Sequence, residues 1–278
     1  MAEVIAIANQ KGGVGKTMST INMGISMVRQ GKKVLLIDAD PQGTMTNNLG
    51  FRPIERLPAT LDTLLKAAIT GKPMESITAL LKHDEGVDVL PANIQLSGSE
   101  RDLVISNDRT VFSKVLDQIR PDYDYILIDC MPSLGALTLN VLTAADSVII
   151  PVQAGYEASQ GLQQLMRTIA SVKQQLNPDL KISGVLLTMV DEQTNLAKTI
   201  SSLIRDTYGS KLHVFANNIP RTVRLAETGP EGKSIFTCSG RSDDTAKKAA
   251  HAYESAAKEV IAHGEKQRAG KHQPDVLR

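Results

Sequence analysis

Short apolar runs recur along the chain, separated by longer stretches with helical spacing of their apolar positions. The runs cover residues 4–8, 33–38, 87–90, 125–129, 147–152 and 182–187, with a weaker one at 213–215. Continuous β-branched and aliphatic runs of this length predict strands buried on both faces, as in a parallel sheet. The intervening stretches predict helices near residues 16–30, 60–70, 74–82, 110–119, 158–176, 194–207 and 243–263. Strands alternating with helices predict an α/β fold, a doubly wound, mostly parallel sheet flanked by helices. Ligands on such sheets sit beyond the carboxyl ends of the strands.

No internal repeat and no linker rich in Gly, Ser or Pro divides the 278 residues. One domain over residues 1–264 is expected, followed by a polar, frayed tail over 265–278 containing Gly270 and Pro274. No apolar run approaches the roughly 18 residues that a membrane helix needs. The opening MAEVIAIANQKGG lacks a basic leader, so a cytoplasmic location is expected. Two cysteines, Cys130 and Cys238, cannot build a disulfide framework or a zinc site within one chain. Lys plus Arg number 31 against 30 Asp plus Glu, a net charge of +1, so nucleic-acid binding would need a local patch. Aromatic residues are 3% and Trp is absent, which argues against base stacking on single strands.

The strongest chemical signal is Lys11-Gly12-Gly13-Val14-Gly15-Lys16-Thr17, placed after an apolar strand and opening a helix. This is the setting of a phosphate-binding loop. Glycines let backbone N–H groups approach phosphate oxygens with no Cβ in the way. The helix N-terminus adds partial positive charge. Lys16 would place its ammonium between the β- and γ-phosphates of a nucleotide, and the Thr17 hydroxyl could ligate Mg²⁺. Residues 12–17 and the following Met18 form the expected phosphate contact. The usual pattern has a glycine at the position where this chain has Gln10. An extra lysine, Lys11, precedes the glycines instead. Two lysines so close together need strong negative charge between them, and Lys11 could reach a nucleotide held by a second subunit.

Two aspartate-bearing strands point to the same edge. Asp38-Ala39-Asp40-Pro41-Gln42-Gly43 ends one, and Asp129 ends another, before Met131-Pro132-Ser133-Leu134-Gly135. Asp129 would hold Mg²⁺ through a water. Asp40 is placed to orient or deprotonate the attacking water and to stand near the metal. Asp38 reads as a strand-end residue capping a local turn. Gly43 and Gly135 are expected to let their segments move as switch loops do.

KGGVGKT, DADPQG, YDYILIDCMPSLG, SVIIPVQ, GVLLTMVD and IPRTVRLAE, in that order, resemble the ParA/Soj family of partition ATPases, a deviant Walker A class of P-loop NTPase. The resemblance runs from residue 2 to about residue 262. It implies a homodimer that sandwiches ATP and Mg²⁺, with Lys11 contacting the partner's nucleotide, Lys16 the phosphates and Asp40 supporting hydrolysis. Pro220 and Thr222 match positions bordering the base. The resemblance further implies non-specific binding of double-stranded DNA, nucleoid association when ATP is bound, and stimulation by a ParB-type centromere-binding protein. Arg224 matches a DNA-contacting arginine, whereas Gln193 stands where another arginine is frequent. Met131 stands where a proline is common.

From Lys198 to Lys248 there are nine Lys/Arg and five Asp/Glu. Arg221, Arg224, Lys247 and Lys248 are the DNA-binding candidates, set against a merely solvated basic face. The first strand begins at once, so no helix-turn-helix precedes it and operator-type recognition is not expected. A membrane-cycling ATPase of the MinD type would need an amphipathic C-terminal helix, and EKQRAGKHQPDVLR offers only Val276 and Leu277 as sizeable apolar residues. An iron–sulfur ATPase would need two suitably placed cysteines per chain. A nucleotide-gated adaptor, in which slow hydrolysis only times a partner's binding, shares the same fold.

Overall fold

The computed structural model describes residues 1–74, 79–155, 158–238 and 243–271. Its elements are β1 (Glu3–Ile7), α1 (Lys16–Arg29), β2 (Val34–Ala39), α2 (Thr44–Asn48), α3 (Leu61–Thr70), β3 (Leu81–Lys82) and β4 (Asp88–Leu90). There follow α4 (Leu96–Ser106), α5 (Val111–Ile119), β5 (Tyr125–Cys130), α6 (Ala136–Ala144), β6 (Ser147–Gln153) and α7 (Ala158–Gln175). The chain continues with β7 (Lys181–Thr188), α8 (Asn195–Tyr208), α9 (Val223–Glu231), α10 (Ile235–Cys238) and α11 (Asp244–Lys271).

The strands form one sheet in the order β3-β4-β2-β5-β1-β6-β7. Every pairing is parallel except β3 with β4. Alternation at period two decides which layer each residue joins. Val4, Ala6, Leu35 and Ile37 enter the core beneath α3 to α8, while Ile5, Ile7, Val34 and Leu36 enter the core beneath α1 and α11. Burial of both faces explains why these strands read as unbroken apolar runs. Helix α1 lies close on β2: a Cβ at Gly24 would stand 2.5 Å from Leu36 Cδ2.

Three expectations change. Residues 81–82, the end of the helix expected over 74–82, form a strand antiparallel to β4, while residues 75–78 lie outside the described residues. Gly86, at φ 87°, makes the reversal that pairs Leu81 with Val89. The weak strand at 213–215 is a single bridge between Val214 and Val185; the chain then follows the β7 edge to a second bridge, Pro220 with Val190. Helix α11 continues through Lys271, so the boundary expected at 264 falls inside it. Gly264 lies beside the ends of the Glu3 and Tyr125 side chains, which brings α11 against β1 and β5. Glu265 pairs with Lys32 at 2.9 Å. The rest of the expected tail, 272–278, lies outside the described residues. Among the described residues, no helix is long and apolar enough to cross a membrane.

Candidate active site

The loop after β1 turns into α1 through Gly13 (φ 70°) and Gly15 (φ 84°), left-handed conformations that favour glycine. Gly15 is the N-cap of α1 and offers no side chain to its first N–H groups, which leaves them for a ligand. Cβ atoms at Gly12 and Gly13 would meet nothing within 4 Å, so this face of the loop is open. Lys16 is buried, and its Nζ donates to the Lys11 carbonyl at 3.1 Å. Burial lowers its pKa, opposed by the carboxylates of Asp129 and Asp40. Lys11 itself is exposed. Met18, half-buried, accepts a hydrogen bond on Sδ from Thr228 Oγ at 3.7 Å, which sets α9 beside the start of α1.

The strand order places β5 between β1 and β2, so Asp129 is register partner to both Ile7 and Asp38. The Thr17 hydroxyl donates to Asp129 Oδ2 at 2.7 Å. Asp129 Oδ1 is buried with no hydrogen-bond partner among the described residues. Burial raises the Asp129 pKa well above the usual range, and the charge of Asp38 adds to the rise. A buried carboxylate oxygen without a donor, beside a hydroxyl, is an all-oxygen set that suits a hard cation such as Mg²⁺. Asp38 accepts from Thr46 N (2.9 Å), Thr46 Oγ (2.7 Å) and Asp40 N (3.2 Å), the turn-capping role read from sequence. Burial pushes its pKa up to about 6. Asp40 is half-buried at the mouth of the site, and its Oδ1 accepts from Gln42 N at 2.9 Å. Cys130 is buried beside Asp129, and burial pushes its thiol pKa far up, against the character of a cluster-ligating thiolate.

Space also constrains Gly43, the first of the two glycines after the aspartates. At Gly43 (φ 59°) a Cβ would stand 2.7 Å from Ile54 Cδ1 and 2.8 Å from the Ala92 carbonyl. At Gly135 an added Cβ would meet only the movable end of the Glu100 side chain and the Ser133 hydroxyl, so space places little demand there.

The remaining candidates divide. Pro220, Lys247 and Lys248 line one cleft of about 380 Å³, with Glu192, Asn217 and His251. Arg221 is exposed next to it in sequence, its N–H bonded to the Val190 carbonyl at 3.1 Å. Lys247 pairs with Asp244 at 3.3 Å. Thr222 caps α9, its hydroxyl accepting from Arg224 N at 3.2 Å. Arg224 is occupied elsewhere: Nη1 pairs with Glu227 (2.9 Å) and Glu231 (3.1 Å), and Nε donates to the Cys238 carbonyl (2.9 Å). Gln193 sits in an exposed turn closed by its N–H on Asp191 Oδ1 at 3.1 Å. Sequence reasoning missed Asn9, Thr46 and Thr188, all buried beside the loop or the aspartates. Only Asn9 left a local signal, an Asx-type residue two before Lys11.

A family profile described as "AAA domain" matches residues 2–182. The sporulation initiation inhibitor protein Soj of Bacillus subtilis is 44% identical over 265 residues, covering 95% of this chain and all of that protein. The chain belongs to the ParA/Soj family of P-loop ATPases. The chromosome partitioning protein ParA of Caulobacter vibrioides is 42% identical over 266 residues, 93% of each chain. Among solved structures, a Mycobacterium smegmatis protein described as cobyrinic acid a,c-diamide synthase, with bound ATP analogue and magnesium, is 37% identical with a TM-score of 0.80. It covers 95% of this chain and 96% of that one. The phosphate loop of this ParA/Soj-family chain carries Lys11 ahead of its glycines and Gln10 where the usual pattern begins with glycine, the mark of the deviant class.

Proposed function

We propose that this chain binds Mg-ATP, closes with a second copy around two nucleotides, and in that state binds double-stranded DNA without sequence preference. Hydrolysis, stimulated by a ParB-type centromere-binding protein, then releases the DNA, and the cycle partitions a chromosome or plasmid. The observation that carries the reading is the convergence of Lys16, Thr17 and Asp129 at one strand edge, with one carboxylate oxygen of Asp129 unsatisfied among the described residues.

The loop geometry and the family resemblance together support the following roles. The loop N–H groups and Lys16 would grip the β- and γ-phosphates. Thr17 and Asp129 would hold Mg²⁺, which when bound draws negative charge from the phosphate oxygens. Asp40, at the mouth, would accept a proton from the attacking water and fix its direction. Lys11, exposed on the outer limb, would reach the nucleotide of the partner. Pro220 and Thr222 would border the base. Lys247, Lys248 and Arg221 supply exposed positive charge for phosphates, and dimerisation doubles it. The relatives named for partitioning support the cargo, and the reading places the protein in the cytoplasm, on the nucleoid when ATP-bound.

The test is mass by light scattering, together with DNA retention at stated salt, in ATP analogue, ADP and no nucleotide. A dimer that retains DNA only with the triphosphate supports the reading. Single chains in magnesium and a non-hydrolysable triphosphate would overturn it.

A further inference from the structure

We infer that Asn9 and Thr188 are positioning residues that fix the two limbs of the phosphate loop independently. Asn9 sets the limb bearing Lys11, and Thr188 sets the limb bearing Val14 and Gly15. The role given to Asn9 rests on Lys11 acting on a partner's nucleotide, whereas the role of Thr188 needs only nucleotide binding.

Asn9 is 5% exposed. Its Nδ2 donates to the Pro151 carbonyl of β6 at 2.7 Å, and its Oδ1 accepts from Lys11 N at 3.0 Å. A carbonyl can only accept and a backbone N–H can only donate, so the carboxamide is held in one orientation. Aspartate would set a carboxylate against Pro151 O, and serine is too short to span both. The main-chain ladder from β1 to β6 ends with Ala8 N on Ile149 O at 3.1 Å. Asn9 thus adds one side-chain rung where the ladder stops and carries it into the loop.

Thr188 closes β7 and is 1% exposed. Its Oγ donates to the Val14 carbonyl at 2.8 Å. In a planar trans peptide the C=O and the next N–H point opposite ways. Pinning Val14 O toward β7 therefore aims Gly15 N–H away from β7, toward the anion-binding side of the loop. The two braces anchor the loop to different strands, β6 through Asn9 and β7 through Thr188, and touch different peptides, so their removal should fail in different ways.

The experiment pairs ADP affinity by calorimetry with sedimentation in magnesium and a non-hydrolysable ATP analogue. Thr188→Val keeps the shape and removes the hydroxyl; ADP and ATP-analogue affinities should both fall about tenfold, the cost of orphaning one buried carbonyl. Thr188→Ser should restore them. Asn9→Ala should keep ADP affinity within about twofold while weakening triphosphate-driven dimerisation about tenfold. Asn9→Asp keeps the acceptor for Lys11 but faces the Pro151 carbonyl with a carboxylate, so it should weaken dimerisation at least as much as Asn9→Ala. Wild-type affinity in Thr188→Val, or no recovery in Thr188→Ser, would overturn the Thr188 role. Equal losses of ADP affinity and dimerisation in both Asn9 variants, or no loss in either, would overturn the Asn9 role. A wild type that never dimerises sinks the reading of Lys11, and Asn9 with it, but leaves the ADP comparison at Thr188 decisive.

Discussion

Asp38 and Asp129 are register partners on adjacent parallel strands, both carboxyls are buried, and burial raises both pKa values. Lys16 supplies a cationic influence that lowers the value at Asp129, but its own ammonium is disfavoured by burial. Ionising both carboxyls at this strand edge is therefore costly, and a metal cation brought in with a triphosphate would offset that cost.

Folded Asp38 holds its proton up to about pH 6, whereas an unfolded aspartate releases it near 3.8. The folded state therefore binds more protons across that window, so this group's contribution to stability falls as pH rises through it and the cost is complete above it. Asp38→Asn removes the titration. Urea unfolding of both proteins should show the wild type gaining on the variant as pH is lowered from about 7 to about 5, by about 1 kcal/mol. A pH-independent difference would show that Asp38 is not the group titrating.

Asp40→Ala should bind nucleotide and dimerise like the wild type, because the Asp40 carboxylate accepts from Gln42 N, outside the phosphate loop. Turnover should drop at least about a hundredfold, the usual worth of a positioned acid–base group. Phosphate release with matched nucleotide occupancy measures both. Unimpaired turnover would move the water-orienting role to another group.

The basic candidates should separate by how firmly each cation is held, since Lys247 has a long exposed pairing with Asp244 at 3.3 Å while Arg224 is gripped by two carboxylates and a carbonyl. Lys247→Ala with Lys248→Ala removes exposed charge from one cleft, and the slope of log affinity for DNA against log salt should shrink by about one for each DNA phosphate no longer neutralised. Arg224→Ala removes a guanidinium already engaged by Glu227 and Glu231. It should change that slope less and lower thermal stability more, because the tie from α9 to the Cys238 carbonyl of α10 goes with it. A larger slope change from Arg224 would reverse the assignment.

Gly43→Ala should destabilise by about 2–3 kcal/mol, from a positive φ and a collision with backbone at Ala92. Denaturant midpoints measure it. A loss under about 0.5 kcal/mol would mean that the loop relaxes freely.

By itself the sequence determined the phosphate loop, the alternating layers and the strand-end carboxylates, because these depend on local pattern: glycines before Lys16, apolar runs, acids where β2 and β5 end. The runs at β1, β2, β5, β6 and β7 all became strands within a residue or two. Other features depended on pairing between distant segments. The short β3 hairpin was invisible to periodicity because two residues carry no period. Helix α6 buries residues around most of its circumference, which erases the amphipathic signal. Only the tertiary structure placed β5 between β1 and β2, and so set Asp129 against both Thr17 and Asp38, or brought Pro151 and Thr188 to opposite limbs of one loop. Strand order and side-chain reach join residues more than a hundred positions apart, as with Thr17 and Asp129, and no local spacing encodes such a contact.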